Sequence, residues 1–274
     1  MEERRHGVPA GRVPLRLMRL DVNAFLGAYP YAPVPGTSPA ALLKAMDRAG
    51  IDEAWVSHLP SIFWRVPTDG NAWLYEVAAG DKRFKPVPAV HPGLKGWEDT
   101  LGEAADRGAP VVRCDPTYYG LDPAGPEMRV VAAGCGAAQL PLLMAVRLED
   151  ARQRHPHDHA PELPAAAVRA LVRSDEDVRV VVTHADRGFV EEVHFGSTPE
   201  EAARVWWDIS WIWGPPEDHL QTLLGTIGVD RFVFGTGQPL RIPEAAVAKL
   251  ELLDLAREQR LAIESGNARE GLAA

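Results

Sequence analysis

Histidine, arginine and acidic side chains recur in this sequence at the ends of short apolar runs, where α/β proteins assemble their chemistry. The sharpest case is Val178-Arg-Val-Val-Val-Thr-His-Ala-Asp186. A valine-dominated run that favours a strand buried on both faces stops in Thr183, His184 and Asp186, groups that donate, accept or titrate. His184 and Asp186 are the expected catalytic pair, the carboxylate orienting the imidazole if the loop turns favourably. Other runs finish at Asn23, His58, His91, Arg113 with Asp115, Arg147, Asp208 and Gln238. Arg113 and Arg147 carry the planar fork that clamps a carboxylate, or that pairs internally with Asp115, Glu149 or Asp150. Asn23, His58, His91, Arg113, Asp115, Arg147, Trp211 and Gln238 are the expected substrate-binding set.

These residues need strands and helices to bring them together. The apolar runs predict eight strands: 17–22, 53–57, 84–90, 109–112, 141–146, 178–183, 205–209 and 231–234. Helical patterns follow each. Ser38 is a candidate N-cap with Pro39 at the first helical position, Leu42, Leu43, Met46 and Ala49 form the apolar face, and Gly50 is a candidate C-cap. Further helices are expected at 70–79, 97–107, after Pro126 through Ala138, at 162–173, from Glu217, and over 244–259. Eight strand–helix units predict an α/β fold, a (β/α)₈ TIM barrel in a single domain, in which all the strand-end residues share one mouth. A doubly wound open sheet is the runner-up, without a GxGxxG or Walker A sequence to support it. In the segment Trp206-Trp207-Asp208-Ile209-Ser210-Trp211-Ile212-Trp213, the first two tryptophans are expected in the core, and Trp211 and Trp213 at a pocket or interface. Arg154-His155-Pro156-His157-Asp158-His159 is expected to be a solvated loop.

The 274 residues, 46% hydrophobic and 24% charged, suit one barrel domain over 17–274 with a flexible tail over 1–16. A net charge of −9 offers no basic footprint for nucleic acid. The two cysteines, Cys114 and Cys135, have no metal-ligand spacing. The Arg-rich start lacks an apolar stretch typical of a signal peptide, and no run reaches the roughly 20 apolar residues that span a membrane. A cytoplasmic location is expected, with no membrane partner.

The chain resembles the amidohydrolase superfamily, in the amidohydrolase-related branch of decarboxylases and lactone hydrolases, from about Asp21 to Ala268. Asp21-Val-Asn-Ala-Phe-Leu-Gly27 stands where that family shows Asp-x-His-x-His. Val180-Val-Val-Thr-His184 resembles its sixth-strand histidine, Phe232-Val-Phe-Gly-Thr-Gly-Gln-Pro239 its Phe-Gly-Ser-Asp-x-Pro, and Ile263-Glu-Ser-Gly-Asn-Ala268 its closing Ile-x-x-Gly-Asn-Ala. The resemblance implies divalent metals held by first-, fifth- and sixth-strand histidines and an eighth-strand aspartate. Here Asn23 and Phe25 replace the first pair, Val146 and Arg147 occupy the fifth-strand position, and Gly237 replaces the aspartate. His184 alone remains, and a zinc site needs three or four ligands at about 2.0–2.3 Å.

The expectation is therefore a metal-independent hydrolase or decarboxylase without cofactor, acting on a small carboxylated molecule. A second reading is a catalytically inactive barrel serving as a binding or partner subunit in a homo- or hetero-oligomer. A third is a rearranged metal site from His58, His91 and His184 with Asp115 or Asp208.

Overall fold

The computed structural model describes residues 18–272, so the tail expected over residues 1–16 lies outside the described residues. Eight parallel strands alternate with helices: β1 (Leu20–Leu26), β2 (Glu53–His58), β3 (Phe84–Pro86), β4 (Val112–Arg113), β5 (Leu142–Ala145), β6 (Val180–Thr183), β7 (Val205–Asp208) and β8 (Phe232–Val233). The α-helices are α1 (Pro39–Ala49), α2 (Asn71–Gly80), α3 (Trp97–Asp106), α4 (Pro126–Ala137), α5 (Ala165–Ser174), α6 (Arg187–Phe195), α7 (Pro199–Ala202), α8 (His219–Thr226), α9 (Pro243–Leu252) and α10 (Arg257–Leu261). The ladders form two sheets, β1-β2-β3 and β4-β5-β6-β7-β8. A single bridge joins them at each seam, Ala89 to Arg113 and Ala24 to Gln238. The architecture is a (β/α)₈ barrel whose ring is completed by these bridges rather than by continuous ladders.

The strands hold together because the barrel interior is filled. Leu20, Val22, Trp55, Val87, Val111, Leu143, Val181, Trp206 and Val233 form one buried cluster, with Ala268 and Leu272 of the C-terminal segment packed on it. A larger cluster fills the space between strands and helices. As expected, Ser38 caps α1 by accepting from the Ala41 amide, Gly50 ends it in the left-handed region, and Leu42, Met46 and Ala49 are buried. The C-terminal motif is structural: Asn267 Nδ2 donates to the Val229 and Phe232 carbonyls, and buried Glu264 pairs with Arg19 at 2.6 Å.

Several expected boundaries are corrected, among them the third strand, which ends at Pro86, and the fourth, which begins at Val112. The first strand starts at Leu20 and runs to Leu26, so Asn23 and Phe25 lie within it rather than beyond its end. Its register against β2 shifts between Asp21 and Ala24, where the Asn23 amide N–H donates to Asp21 Oδ1 at 3.0 Å instead of to a strand neighbour. The helix expected over 244–259 stops at Leu252, because Leu253 is extended and packs into the core.

The β1–β8 seam depends on Asp21. Its fully buried carboxylate accepts from the Thr236 amide at 3.0 Å, the Thr236 hydroxyl at 2.5 Å and Gln238 Nε2 at 2.9 Å, as well as from Asn23. Asp21→Ala orphans these donors in the interior and is expected to destabilise the fold by about 3 kcal/mol. Urea unfolding checks this, and a loss below about 1 kcal/mol contradicts the role.

Candidate functional site

His184 follows the last residue of β6, in the left-handed region at φ 57°, a conformation that costs a non-glycine residue energy and must be held by its surroundings. Its amide donates to Asp208 Oδ1 at 3.0 Å. Nδ1 donates to the Arg147 carbonyl at 2.6 Å, which leaves Nε2 as an acceptor, and the Asn23 amide donates to it at 2.9 Å. The same Asn23 Nδ2 donates to Asp208 Oδ2 at 2.8 Å, and the Ser210 hydroxyl donates to that oxygen at 2.7 Å. Both neighbours of Nδ2 are acceptors, so the amide orientation is fixed by the network. Burial and then the Arg241 charge hold the His184 imidazole well below its ordinary pKa, despite the bond to the Arg147 carbonyl. Burial pushes the Asp208 carboxyl up, and the bonds from Ser210, Asn23 and His184 oppose that shift.

The expected catalytic pair does not meet. Asp186 caps α6, accepting from the Phe189 amide at 3.0 Å, and accepts from Arg147 Nη1 at 3.0 Å. The orienting acceptor for His184 is the Arg147 carbonyl. Arg113 and Asp115 form a buried internal pair at 2.6 Å, with the guanidinium 4.8 Å from the Phe25 ring centre, so Arg113 is engaged within the core. Arg147 pairs with Asp186 and Glu162, not with Glu149 or Asp150. Gln238 is buried against Asp21. His58 packs against Trp64 and Trp73, and His91 stacks on Tyr119 at 4.8 Å and accepts from the Gly93 amide. His155 of the loop over 149–159 stacks on Tyr31.

What opens to solvent is a cavity of about 650 Å³ beyond β5 to β8, lined by Arg147, Asp150, Arg152, Asp186, Ser210, Trp211, Trp213, Arg241 and Lys249 among others. The Trp211 ring lies under the Arg241 guanidinium at 3.7 Å and within 5.4 Å of that of Arg147. Four cations against two carboxylates line this cavity in a protein of net charge −9. Trp206 and Trp207 are buried in the core. Sequence reasoning missed Arg241 and Lys249. Arg241 follows the eighth-strand pattern by two residues, which could have flagged it, whereas Lys249 sits in a helical stretch that reads as surface.

No family model matches the sequence, and no curated protein matches it. Solved structures do. The 5-carboxyvanillate decarboxylase from Sphingomonas paucimobilis superposes with a TM-score of 0.72 at 14% identity, over 92% of this chain and 98% of that one. The 2,6-dihydroxybenzoate decarboxylase from Rhizobium gives 0.71 at 17%, over 94% and 99%. A dihydroxybenzoic acid decarboxylase from Polaromonas sp. JS666, with bound manganese and 2-nitroresorcinol, gives 0.71 at 14%, over 94% and 97%. The chain has the fold of these decarboxylases.

The residues here do not fit such a metal. Among the described residues no group of three or more His, Cys, Asp or Glu side chains could hold an ion, and His58, His91 and His184 do not converge. The Asn23 amide fills the gap between His184 Nε2 and Asp208. The Phe25 ring centre lies 6.2 Å from that of His184. At Gly237, with φ +71°, a Cβ would fall 2.8 Å from His184 Nε2, so an aspartate there would displace the imidazole. Arg241, Arg113 and Arg147 also oppose positive charge on this histidine.

Neutral histidines, His58 half-buried and His184 fully buried, set a pH dependence. Burial lowers the His58 pKa to about 4. Below about pH 6.5 the unfolded chain therefore binds a proton that native His58 refuses, so its contribution to stability is present above that pH and lost on acidification. His184 acts in the same sense, while Asp21 and Asp208, with carboxyls pushed up, act in the opposite one. These terms are common to wild type and His58→Gln. The urea midpoint of wild type is expected to fall more steeply than that of the variant between about pH 6.5 and pH 4; parallel curves contradict a neutral, half-buried His58.

Proposed function

We propose that this barrel is a metal-independent enzyme of decarboxylase or hydrolase type, which takes a small carboxylated aromatic molecule in the cavity beyond β5 to β8. The observation that carries the reading is the Arg241–Trp211–Arg147 arrangement. Two guanidiniums, each also over the same indole face or edge, supply planar donors for a carboxylate, and Trp211 and Trp213 offer apolar surface for the remainder of the ligand. Both arginines are already partly engaged, Arg147 with Asp186 and Glu162 and Arg241 with the Leu148 carbonyl and Glu149, and the Nε of each is buried without a hydrogen-bond partner. The decarboxylase neighbours with dihydroxybenzoate substrates support the class of molecule. His184 is assigned a positioning role, because its Nε2 is occupied and its ring is fully buried. Asp186, expected to be catalytic, lines the cavity, and we assign it to the substrate-facing wall.

One observation favours the second reading, a binding barrel without turnover: the network around His184 leaves it neither a free lone pair nor a titrating proton at neutral pH. Turnover separates the two.

Calorimetry with benzoate and 2,6-dihydroxybenzoate, paired with an assay for released CO₂, tests the proposal. Arg241→Ala and Arg147→Ala are each expected to weaken binding by about 10- to 100-fold, the loss of one charge-assisted contact. Unchanged affinity in both variants contradicts the clamp. Binding without CO₂ release or hydrolysis across aromatic acids and their lactones favours the inactive barrel.

A further inference from the structure

Decarboxylation without a metal needs another place for the electron pair left by CO₂. Among the residues lining the cavity, Lys249 is the one primary amine. It reaches in from α9 with its stem fixed by the loop after β7, where a Cβ on Gly214 would stand 2.8 Å from Lys249 Cγ. Its Nζ donates to the Ile209 carbonyl at 2.9 Å and the Ser210 carbonyl at 2.8 Å. A neutral amine has two N–H donors and one lone pair. These two carbonyls take both donors and leave the lone pair unengaged.

We propose that Lys249 is a catalytic amine that forms an imine with the ketone of a 3-oxo carboxylic acid, whose carboxylate is held by Arg241 and Arg147. The inference rests on the reading of this cavity as a carboxylate site. The Nζ lone pair attacks the ketone carbon, and the carbinolamine takes up a proton and loses water to give the protonated imine. The bond between C2 and the carboxylate then breaks, and CO₂ leaves. The electron pair moves through the new C2–C3 double bond onto the imine nitrogen, giving an enamine. Protonation of C2 by water and hydrolysis of the imine release a methyl ketone and restore the amine. No oxidant or reductant is required. The carbonyl must be β to the carboxylate, because only then does the imine nitrogen accept that pair.

The surroundings suit a nucleophilic amine. Burial, opposed by Asp208 and reinforced by Arg241, lowers the Lys249 pKa to about 8. At pH 8 it holds on the order of 100-fold more neutral amine than an ordinary lysine.

The test incubates the full-length protein with benzoylacetate, traps with sodium borohydride, and maps the adduct by peptide mass spectrometry. The expected result is one adduct, on Lys249, formed at a rate that rises with pH through about 8 and slowed by benzoate. Lys249→Arg is expected to lose it. The assignment comes from wild-type peptides, so it stands whether or not that variant folds. No adduct, or adducts spread evenly over surface lysines, overturns the imine, and does so without touching the cavity reading if benzoate still binds by calorimetry. An adduct on Lys249 that benzoate does not slow upholds the reactive amine and overturns the carboxylate clamp instead.

Discussion

One side-chain amide holds the mouth of this barrel in its shape. Asn23 Nδ2 donates at once to His184 Nε2 and to Asp208 Oδ2, tying the middle of β1 to the ends of β6 and β7. The arrangement works because the donor is neutral. It satisfies a buried imidazole and a buried carboxylate without adding a charge that the low-dielectric interior would have to compensate. It also determines what surrounds it. Gly237 and Gly235 leave room for the imidazole and for the Asp208 carboxylate, since a Cβ at either would come within 2.8 Å of them. The strained φ of His184 persists because its amide, Nδ1 and Nε2 are each held by a different partner.

This locked cluster separates two regions of different character. Toward β1 and β8 the interior is closed, with Asp21, Thr236 and Gln238 completing the ring. Toward β5 to β8 the mouth opens into the cationic, tryptophan-lined cavity. Asp208 belongs to both. It accepts from Asn23 on one side, and its charge acts on Lys249 on the other. With an amide seated between the β6 histidine and the β7 carboxylate, the open volume lies on one flank of the mouth rather than at its centre.

Much of the fold was legible in the sequence, because valine- and leucine-rich runs alternate with capped amphipathic helices at a spacing that a (β/α)₈ barrel requires. The site was legible in part. His184 was found from the run Val180–Thr183, but its role was not, since two residues of separation say nothing about whether Asp186 turns toward it or caps the next helix. Arg113 and Asp115 look like a ligand clamp in one dimension and are a core ion pair in three. Asn23 read as a degraded ligand, whereas the structure gives it two partners 161 and 185 residues away. Lys249 left no trace, because a lysine within an alternating helix is ordinarily solvated, and only packing of the loop after β7 places it at the cavity.

The measurement that bears most directly on this account is the metal content of untagged protein, produced with added zinc and manganese and analysed by elemental mass spectrometry. With an amide seated between His184 and Asp208, each metal is expected at far below one equivalent, and Asn23→His is expected to raise it by restoring an imidazole to that position. Near-stoichiometric metal in the wild-type protein would contradict the central claim, because Asn23 would then have to leave both partners to admit the ion.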